Sequence, residues 1–364
     1  MGREEFRRPA LMSPSRDALD QFIGAMPKVE LHVHLEGTVR PATLRELARK
    51  HHIDLPVGDD ASLAAFYRFR DFDHFIDVYV AACECLRQPE DFTRVVCELG
   101  ADAASQHIHY LEVHFNPEPH ARKRGITFTE LLAGMNEGRR AVRDTWGVDM
   151  RWIADGVRDA DSGPISVEQT VDWITRLDPS DGVVALGLGG KEIGYPPELF
   201  AAPFRRAREA GLNVVAHAGE TSGPASIWST LRHLSPARIG HEIGAVHDPS
   251  LVDHLAETRI PLEVCPTSNL RTGVVRDLAE HPFRRLDDAG VLLTVNSDDP
   301  PMFGTTLTDE FRLLSRRAGY GVADLRRFTF NAIAASFLPS EEKLKLHARC
   351  DSESDSLVQS LGLV

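Results

Sequence analysis

Short apolar runs alternate with longer amphipathic segments along most of this chain, and this alternation constrains the fold more than any other feature. Eight of the short runs have the length and apolar content of buried strands: residues 29–33, 108–115, 150–154, 183–188, 214–217, 238–240, 261–265 and 291–296. Helical patterns separate them, and several of these patterns end at a glycine, as helices commonly do. Eight strands that are each followed by helical sequence predict an α/β fold, a (β/α)8 TIM barrel.

The barrel accounts for most of the chain but not for its ends. We expect one domain over residues 21–340, an N-terminal arm over residues 1–20, and a C-terminal tail over residues 341–364. The tail is rich in Ser, Asp and Glu, which predicts disorder. The segment between the first two strands, about residues 38–106, is too long for one helix. It predicts extra helices inserted after strand 1, placed to cover the barrel mouth.

Charge and composition exclude several classes of partner. The formal net charge of −13 disfavours nucleic acid and anionic membranes, which both need clustered Lys and Arg. Apolar runs fall short of the roughly 20 residues of a membrane span, and the first residues lack the apolar core of a signal peptide. The five scattered cysteines argue against a disulfide framework. These features predict a cytoplasmic enzyme; the oligomeric state stays open, a homo-oligomer included.

Two histidines lie one residue apart in the first strand-like run. His32 and His34 alternate with apolar residues, so their side chains point to the same face of the strand. A buried pair of imidazoles has little use as packing, whereas a metal ion explains both. Because the chemistry of a TIM barrel lies at the C-terminal ends of its strands, this interpretation predicts further reactive residues at the ends of later strands.

Such residues follow at three later strand ends. The fifth run ends at His217 with Glu220 three residues on, the sixth is followed by His241, and the eighth by Asp298 and Asp299. Two adjacent carboxylates at a strand end cannot both point the same way, so one can meet a metal and the other a substrate. Three neutral imidazoles and a carboxylate form a common ligand set for zinc, with Asp298 as the expected fourth ligand.

Zinc at this position predicts hydrolytic chemistry. A bound Zn²⁺ lowers the pKa of its water towards ~7 and so supplies a nucleophile at neutral pH. Glu220 is suited to move the proton, and His241 to orient or deprotonate the water or to stabilise charge at the attacked centre. Asp299 is the expected substrate contact.

The residues that carry this chemistry also carry a resemblance. From about residue 28 to residue 339 the chain resembles the adenosine/adenine deaminase family, metal-dependent purine deaminases of the amidohydrolase superfamily. The resemblance rests on residues 30–37, 187–192, 217–220, 240–241, 265–269 and 296–300. It implies that one Zn²⁺ per chain and the hydrolytic water are held by His32, His34, His217 and Asp298.

The resemblance also implies roles for the remaining site residues towards a small purine substrate. Glu220 is implied to protonate the ring nitrogen N1 and to pass a proton to the leaving amine, and His241 to position the water. Asp299 is implied to accept a hydrogen bond at N7, and the backbone of Gly190 to contact N3. The substrate-binding set is completed by His34 and Glu36.

Three segments depart from the family pattern. Glu36 stands where many adenosine deaminases have Asp, near the 5′ end of the ribose. Glu242 follows His241 where a glycine is usual, and we expect it to point to solvent. Residues 187–192 replace an Asp-containing or Ser-rich version, and Gly189 and Gly190 leave room for a sugar.

The expected reaction is deamination of adenosine or deoxyadenosine to inosine or deoxyinosine plus ammonia. Two alternatives remain open: an adenine deaminase, towards which residues 113–117 point, or a deaminase of a modified adenosine such as aminodeoxyfutalosine. A binuclear amidohydrolase acting on esters or amides would need Lys191 as a bridging carbamate. A barrel repurposed for binding is the remaining alternative, and a pocket role for His114 is open.

Overall fold

Eight parallel strands form the barrel in the computed structural model, which describes residues 16–55, 65–67, 69, 72–158 and 163–363. They pair in sequence order, each with the next. Their bounds are β1 Lys28–His34, β2 Ile108–Phe115, β3 Asp149–Arg158, β4 Val183–Gly190, β5 Asn213–His217, β6 Arg238–Gly240, β7 Leu262–Val264 and β8 Leu293–Val295. The prediction of a (β/α)8 barrel is confirmed.

The barrel closes where the last strand returns to the first. Val33 and Asp298 form an isolated parallel bridge. The backbone N–H of His34 donates to the Asp298 carbonyl at 2.9 Å, and that of Asp298 donates to the His32 carbonyl at 3.1 Å. Barrel closure therefore fixes the backbone of both predicted β1 histidines against that of Asp298.

Helices follow the strands and cover the outside of the barrel. Their apolar stripes face the sheet, as expected for amphipathic helices. Their bounds are α1 Arg16–Ala25, α2 Pro41–Lys50, α3 Phe72–Glu84, α4 Pro89–Ser105, α5 Pro117–Arg124, α6 Phe128–Trp146, α7 Gly163–Ile174, α8 Ala201–Glu209, α9 Gly223–His233, α10 Pro249–Thr258, α11 Pro266–Arg271, α12 Phe283–Asp288, α13 Pro300–Phe303, α14 Leu307–Ala318, α15 Val322–Ala335 and α16 Ser340–Ser360.

Local sequence signals set the ends of these helices. Helix α6 begins after Thr127, whose hydroxyl accepts from the Glu130 N–H while the Glu130 carboxylate accepts from the Thr127 N–H. It ends at Gly147, which has a φ of 68°, a left-handed conformation that glycine adopts without strain.

The long connection after β1 contains the extra helices that the sequence predicts. A short 3-10 turn, Glu36–Thr38, leaves the strand, and α2, α3 and α4 follow before β2. Helix α3 lies against the 3-10 turn. This connection therefore contributes a wall above the C-terminal ends of β1 and β2.

The prediction of a disordered tail over residues 341–364 is wrong for residues up to Ser360. Helix α16 covers Ser340–Ser360, with Cys350 fully buried beside Val29 and Leu31. His109 on β2 meets Glu353 at 2.7 Å. The composition suggested disorder, but residues 346, 350 and 354 recur at helical spacing and place one face against the base of the barrel.

The N-terminal arm is also partly helical. Residues 16–20 of the expected arm form the first half of α1, in which Phe22 and Ile23 are buried; residues 1–15 lie outside the described part of the chain. Among the helices that the structure describes, none is both long and apolar enough to cross a membrane.

Candidate active site

Four predicted metal ligands meet at the C-terminal ends of β1, β5 and β8. The Nε2 atoms of His34 and His217 lie 3.2 Å apart. Asp298 Oδ1 lies 3.3 Å from His34 Nε2 and 3.5 Å from His32 Nε2. The ring of His32 also packs edge-on against that of His217, with centroids 4.6 Å apart. One carboxylate oxygen and three imidazole nitrogens therefore converge on one point.

The opposite ring nitrogens are held by acceptors behind the site. His32 Nδ1 donates to Glu263 Oε2 at 2.7 Å, and His217 Nδ1 donates to the Leu188 carbonyl at 2.9 Å. His34 Nδ1 lies 3.7 Å from Asp155 Oδ2. Because a proton on Nδ1 leaves the lone pair on Nε2, these contacts orient the imidazoles as metal ligands are oriented.

Burial sets the protonation of these groups. It lowers the pKa of His34 to about 4 and, together with the neighbouring imidazoles, lowers the pKa of His217 well below its usual range. Burial opposes ionisation of Asp298, but His241 and His32 outweigh it and lower its pKa well below the usual range. At His32 burial is outweighed by the carboxylates of Asp298 and Glu263, which raise its pKa, whereas the shifts at His34, His217 and Asp298 favour the states in which these side chains bind metals.

Two buried atoms at this point lack a protein partner. His32 Nε2 and Asp298 Oδ1 are both buried, and neither has a hydrogen-bond partner among the described residues. Buried polar atoms are normally paired, so an orphaned acceptor pair of this kind needs a ligand. The ligand atoms of His32, His34 and His217 all lie within 4.8 Å of one another. The residues therefore fit a single divalent metal ion.

Two residues of the site have an unusual backbone conformation. His241 and Asp298 have φ values of 59° and 65°, a left-handed conformation that is uncommon outside glycine. Such strain costs on the order of 1–3 kcal/mol per residue and concentrates at functional sites. His241 Nε2 lies 3.4 Å from Asp298 Oδ2, so both strained residues face the same point.

Glu220 lies beside His241 in the loop after β5. Its carboxylate is 3.9 Å from His241 Nδ1, and burial raises its pKa, as does the charge of Asp298. A second carboxylate holds the loop: Glu192 accepts from the N–H groups of Gly219 and Thr221 at 2.9 Å each. A raised pKa on a positioned carboxyl is typical of a general acid.

The two adjacent aspartates diverge as the sequence predicts. Asp298 turns to the histidines, whereas Asp299 lies over Gly37, where an added Cβ would come within 1.6 Å of Asp299 Oδ1. Burial and the charge of Asp298 raise the pKa of Asp299 well above its usual range. The pKa values of the two adjacent aspartates are therefore shifted in opposite directions.

A cavity of about 900 Å³ opens over these residues. Its walls come from the ends of the strands and from α3 and α5. The predicted site residues that line it are His34, Gly190, His217, Glu220, His241, Asp298 and Asp299.

Two predictions about the carboxylates near the site are not met by the structure. Glu36, predicted to contact substrate, is fully buried and lies outside the cavity lining, because its carboxylate is bonded to the Asn116 N–H and the Tyr79 hydroxyl behind the wall. Glu242, expected to face solvent, is fully buried, and neither of its carboxylate oxygens has a described hydrogen-bond partner. Burial, and then the charge of Glu263, raise the pKa of Glu242 well above its usual range.

Three positioning residues were missed in the sequence. Glu263, Asp155 and Glu192 hold the predicted site residues from behind. A signal was present for the first two, because each is a carboxylate inside an otherwise apolar strand pattern. His114, left open by the sequence, is buried and bonded through Nδ1 to Asp155 at 3.0 Å; it packs behind His32 and does not line the cavity.

A parallel barrel that gathers imidazoles and carboxylates at the ends of its strands defines a metal-dependent hydrolase of the amidohydrolase type. The family model described as adenosine deaminase matches residues 27–353. The chain belongs to the adenosine deaminase family, and it is a hydrolytic deaminase that acts on an adenine-type substrate.

Two groups of curated relatives stand out by their names. An aminodeoxyfutalosine deaminase of Streptomyces avermitilis is 41% identical over 92% of this chain and 93% of its own length. Its counterpart in Streptomyces coelicolor is 42% identical over 92% of this chain and 86% of its own. An adenine deaminase of Acinetobacter baylyi is 35% identical over 89% of this chain and 96% of its own.

Two solved structures share the fold, and one of them was solved with Zn bound. The adenine deaminase of Arthrobacter aurescens superposes with a TM-score of 0.86 at 32% identity, covering 92% of this chain and all of the other. An amidohydrolase of Burkholderia ambifaria with bound Zn superposes with a TM-score of 0.87 at 29% identity, covering 98% of both chains.

The buried Glu242 predicts a pH-dependent stability difference. Its pKa is higher in the folded state than the ordinary value of 4.5, so above that pH the unfolded chain releases a proton that the folded chain keeps. Through this group the wild-type protein loses folding free energy as the pH rises, and Glu242→Gln lacks that contribution. Urea unfolding between pH 5.5 and 7.5 should show the free energy of unfolding of the variant rising relative to that of the wild type, by up to about 1.4 kcal/mol per pH unit.

The matched control is Glu257→Gln, which changes an exposed glutamate on α10. Its difference from the wild type should stay constant across the same pH range. A Glu242→Gln difference that is equally flat would contradict the assigned burial and protonation of Glu242.

Proposed function

We propose that this enzyme deaminates a 6-aminopurine nucleoside that carries a further group on its sugar, an aminodeoxyfutalosine-type substrate. The expectation of adenosine itself has weaker support, because the relatives of 41% and 42% identity are named aminodeoxyfutalosine deaminases. The observation that carries the proposal is the cavity of about 900 Å³, near the upper end of the 300–1,000 Å³ of small-molecule sites. A bare purine would leave most of that volume unfilled.

A free-base activity is the second candidate. It is favoured by the 35% identical relative named adenine deaminase and by the superposition on the Arthrobacter aurescens adenine deaminase. The apolar side chains Phe75, Ile76, Val80 and Ile193 at the cavity wall support the larger substrate instead, because a base alone would leave this surface wet.

We propose zinc as the metal and one ion per chain. Three imidazole nitrogens and one carboxylate oxygen suit Zn²⁺, and an amidohydrolase of the same fold was solved with Zn bound. His32, His34, His217 and Asp298 would hold it, where it would supply a water of lowered pKa. The binuclear alternative has little support, because Lys191 is exposed and follows the end of β4.

The remaining residues divide the proton chemistry between them. Glu220, whose pKa is raised by burial, is the proposed proton donor to N1, and that proton makes C6 electrophilic. Water, positioned by His241, adds to C6 and gives its proton to Glu220, which has lost its own proton to N1; Glu220 then passes this proton to the departing amine, which leaves as ammonia. The raised pKa of Glu220 favours the protonated carboxyl that the first step, proton donation to N1, requires.

The role of Asp299 differs from the one that the resemblance implies. N7 of a purine carries a lone pair and no hydrogen, so it can accept a hydrogen bond but cannot donate one. Asp299, neutral through burial and the charge of Asp298, can donate its O–H to N7. The backbone N–H of Gly190, which lines the same cavity, is the proposed contact for N3.

Substrate preference tests the proposal directly. Purified enzyme should show its highest kcat/KM for aminodeoxyfutalosine among a panel that also contains adenosine, deoxyadenosine and adenine, with ammonia release as the measurement. The physical reason is that the added group removes apolar wall surface from water. Adenine as the sole good substrate would contradict the proposal.

Glu220→Gln tests the proton chemistry. The variant should retain its metal but lose turnover by at least ~10²-fold, because glutamine cannot carry a proton to N1. Metal content and kcat should be measured on the same preparation. Glu209→Gln, an exposed change on α8, is the control with unchanged kcat; near-full activity in Glu220→Gln would refute the assigned role.

A further inference from the structure

The Glu36 carboxylate has three hydrogen-bonding partners behind the cavity wall, close to the end of β1. Its Oε1 atom accepts from the Asn116 N–H at 2.8 Å and lies 3.2 Å from His120 Nε2. Its Oε2 atom accepts from the Tyr79 hydroxyl at 3.1 Å. Three donors therefore surround the Glu36 carboxylate, and the side chain does not line the cavity.

These bonds fix the direction of the next ones. Because the Tyr79 hydroxyl donates to Glu36, its oxygen is free to accept, and Asn116 Nδ2 donates to it at 2.7 Å. The Asn116 carboxamide is therefore held with its nitrogen towards Tyr79 and its Oδ1 atom turned away. Among the described residues, none donates a hydrogen bond to that Oδ1 atom.

Both side chains border the cavity beside the candidate metal ligands. Tyr79 on α3 and Asn116 after β2 line it, and the Tyr79 ring stands edge-on to the His34 ring with centroids 6.3 Å apart. The pair thus presents a carbonyl oxygen, a remaining amide N–H and a phenolic lone pair to whatever fills the cavity next to His34.

We propose that Tyr79 and Asn116 form a subsite for a sugar hydroxyl of the nucleoside, and that Glu36 is the positioning residue that holds them. This inference rests on the proposed nucleoside function. A hydroxyl both donates and accepts, as the pair does. An anionic group is disfavoured there, because the Glu36 carboxylate lies directly behind the pair.

The length of Glu36 explains why the carboxylate acts indirectly. The Glu36 side chain is long enough for its carboxylate to reach the Asn116 N–H and His120, and it does not line the cavity. Glu36 therefore acts on the cavity only through the two side chains that it orients.

The test compares a nucleoside with its free base. Wild-type protein should bind inosine more tightly than hypoxanthine in calorimetric titrations, and Tyr79→Phe and Asn116→Ala should each weaken inosine binding about tenfold. Hypoxanthine binding should change less than about twofold. Tyr67→Phe is the matched control, because it also removes a buried hydroxyl, bonded to the Val39 carbonyl, but does not line the cavity.

Glu36→Gln tests the positioning role in turnover. It should raise KM for nucleoside substrates about tenfold while kcat and metal content stay near wild type. Glu36→Asp keeps the charge but shortens the side chain, and it should also bind nucleosides more weakly than the wild type. Equal affinity of wild-type protein for inosine and hypoxanthine, or equal losses for both ligands in the variants, would overturn the subsite. Because binding is measured on reaction products, this outcome is separate from the ammonia-release panel, which alone judges the proposed function.

Discussion

The bond between the Glu263 carboxylate and the imidazole of His32 is the interaction on which the rest of the site depends. Glu263 also bonds to the Nε–H of Arg238, whose Nη2 atom lies 2.6 Å from Glu112. Burial opposes ionisation of Glu263, yet Arg238 and His32 lower its pKa to about 2. A buried charge is tolerated when it is paired on every side. This series of ion pairs links β2, β6 and β7 to His32, the first of the candidate metal ligands.

Neighbouring groups of the site have pKa values that are shifted in opposite directions. The pKa values of Asp298, His34 and His217 are lowered, which favours their metal-binding states, whereas burial and the charge of Asp298 raise those of Asp299 and Glu220. These opposite shifts favour a metal-binding carboxylate beside a general acid, the pair of roles that a hydrolytic site needs. The proposed sugar subsite adds a third layer, in which Glu36 acts on the substrate through Tyr79 and Asn116.

Sequence patterns predicted the site residues that lie in or directly after the recurring strand-like runs. Strand periodicity placed His32 and His34 on one face, and the strand-end rule placed His217 and Asp298 beside them. The orientation of Glu36 and Glu242 was not predictable, because it depends on which side of a turn a long side chain enters. The extra helices over the barrel mouth were predicted from the length of the connection after β1, but the side chains of α3 that line the cavity were not, since they are set by tertiary packing.

The central claim is that one zinc ion is held by His32, His34, His217 and Asp298, and anomalous diffraction at the zinc edge tests it most directly. The account predicts a single strong peak per chain within about 2.0–2.2 Å of one atom from each of these four side chains. A second peak of comparable height beside Lys191, or a single peak ligated by other residues, would contradict it.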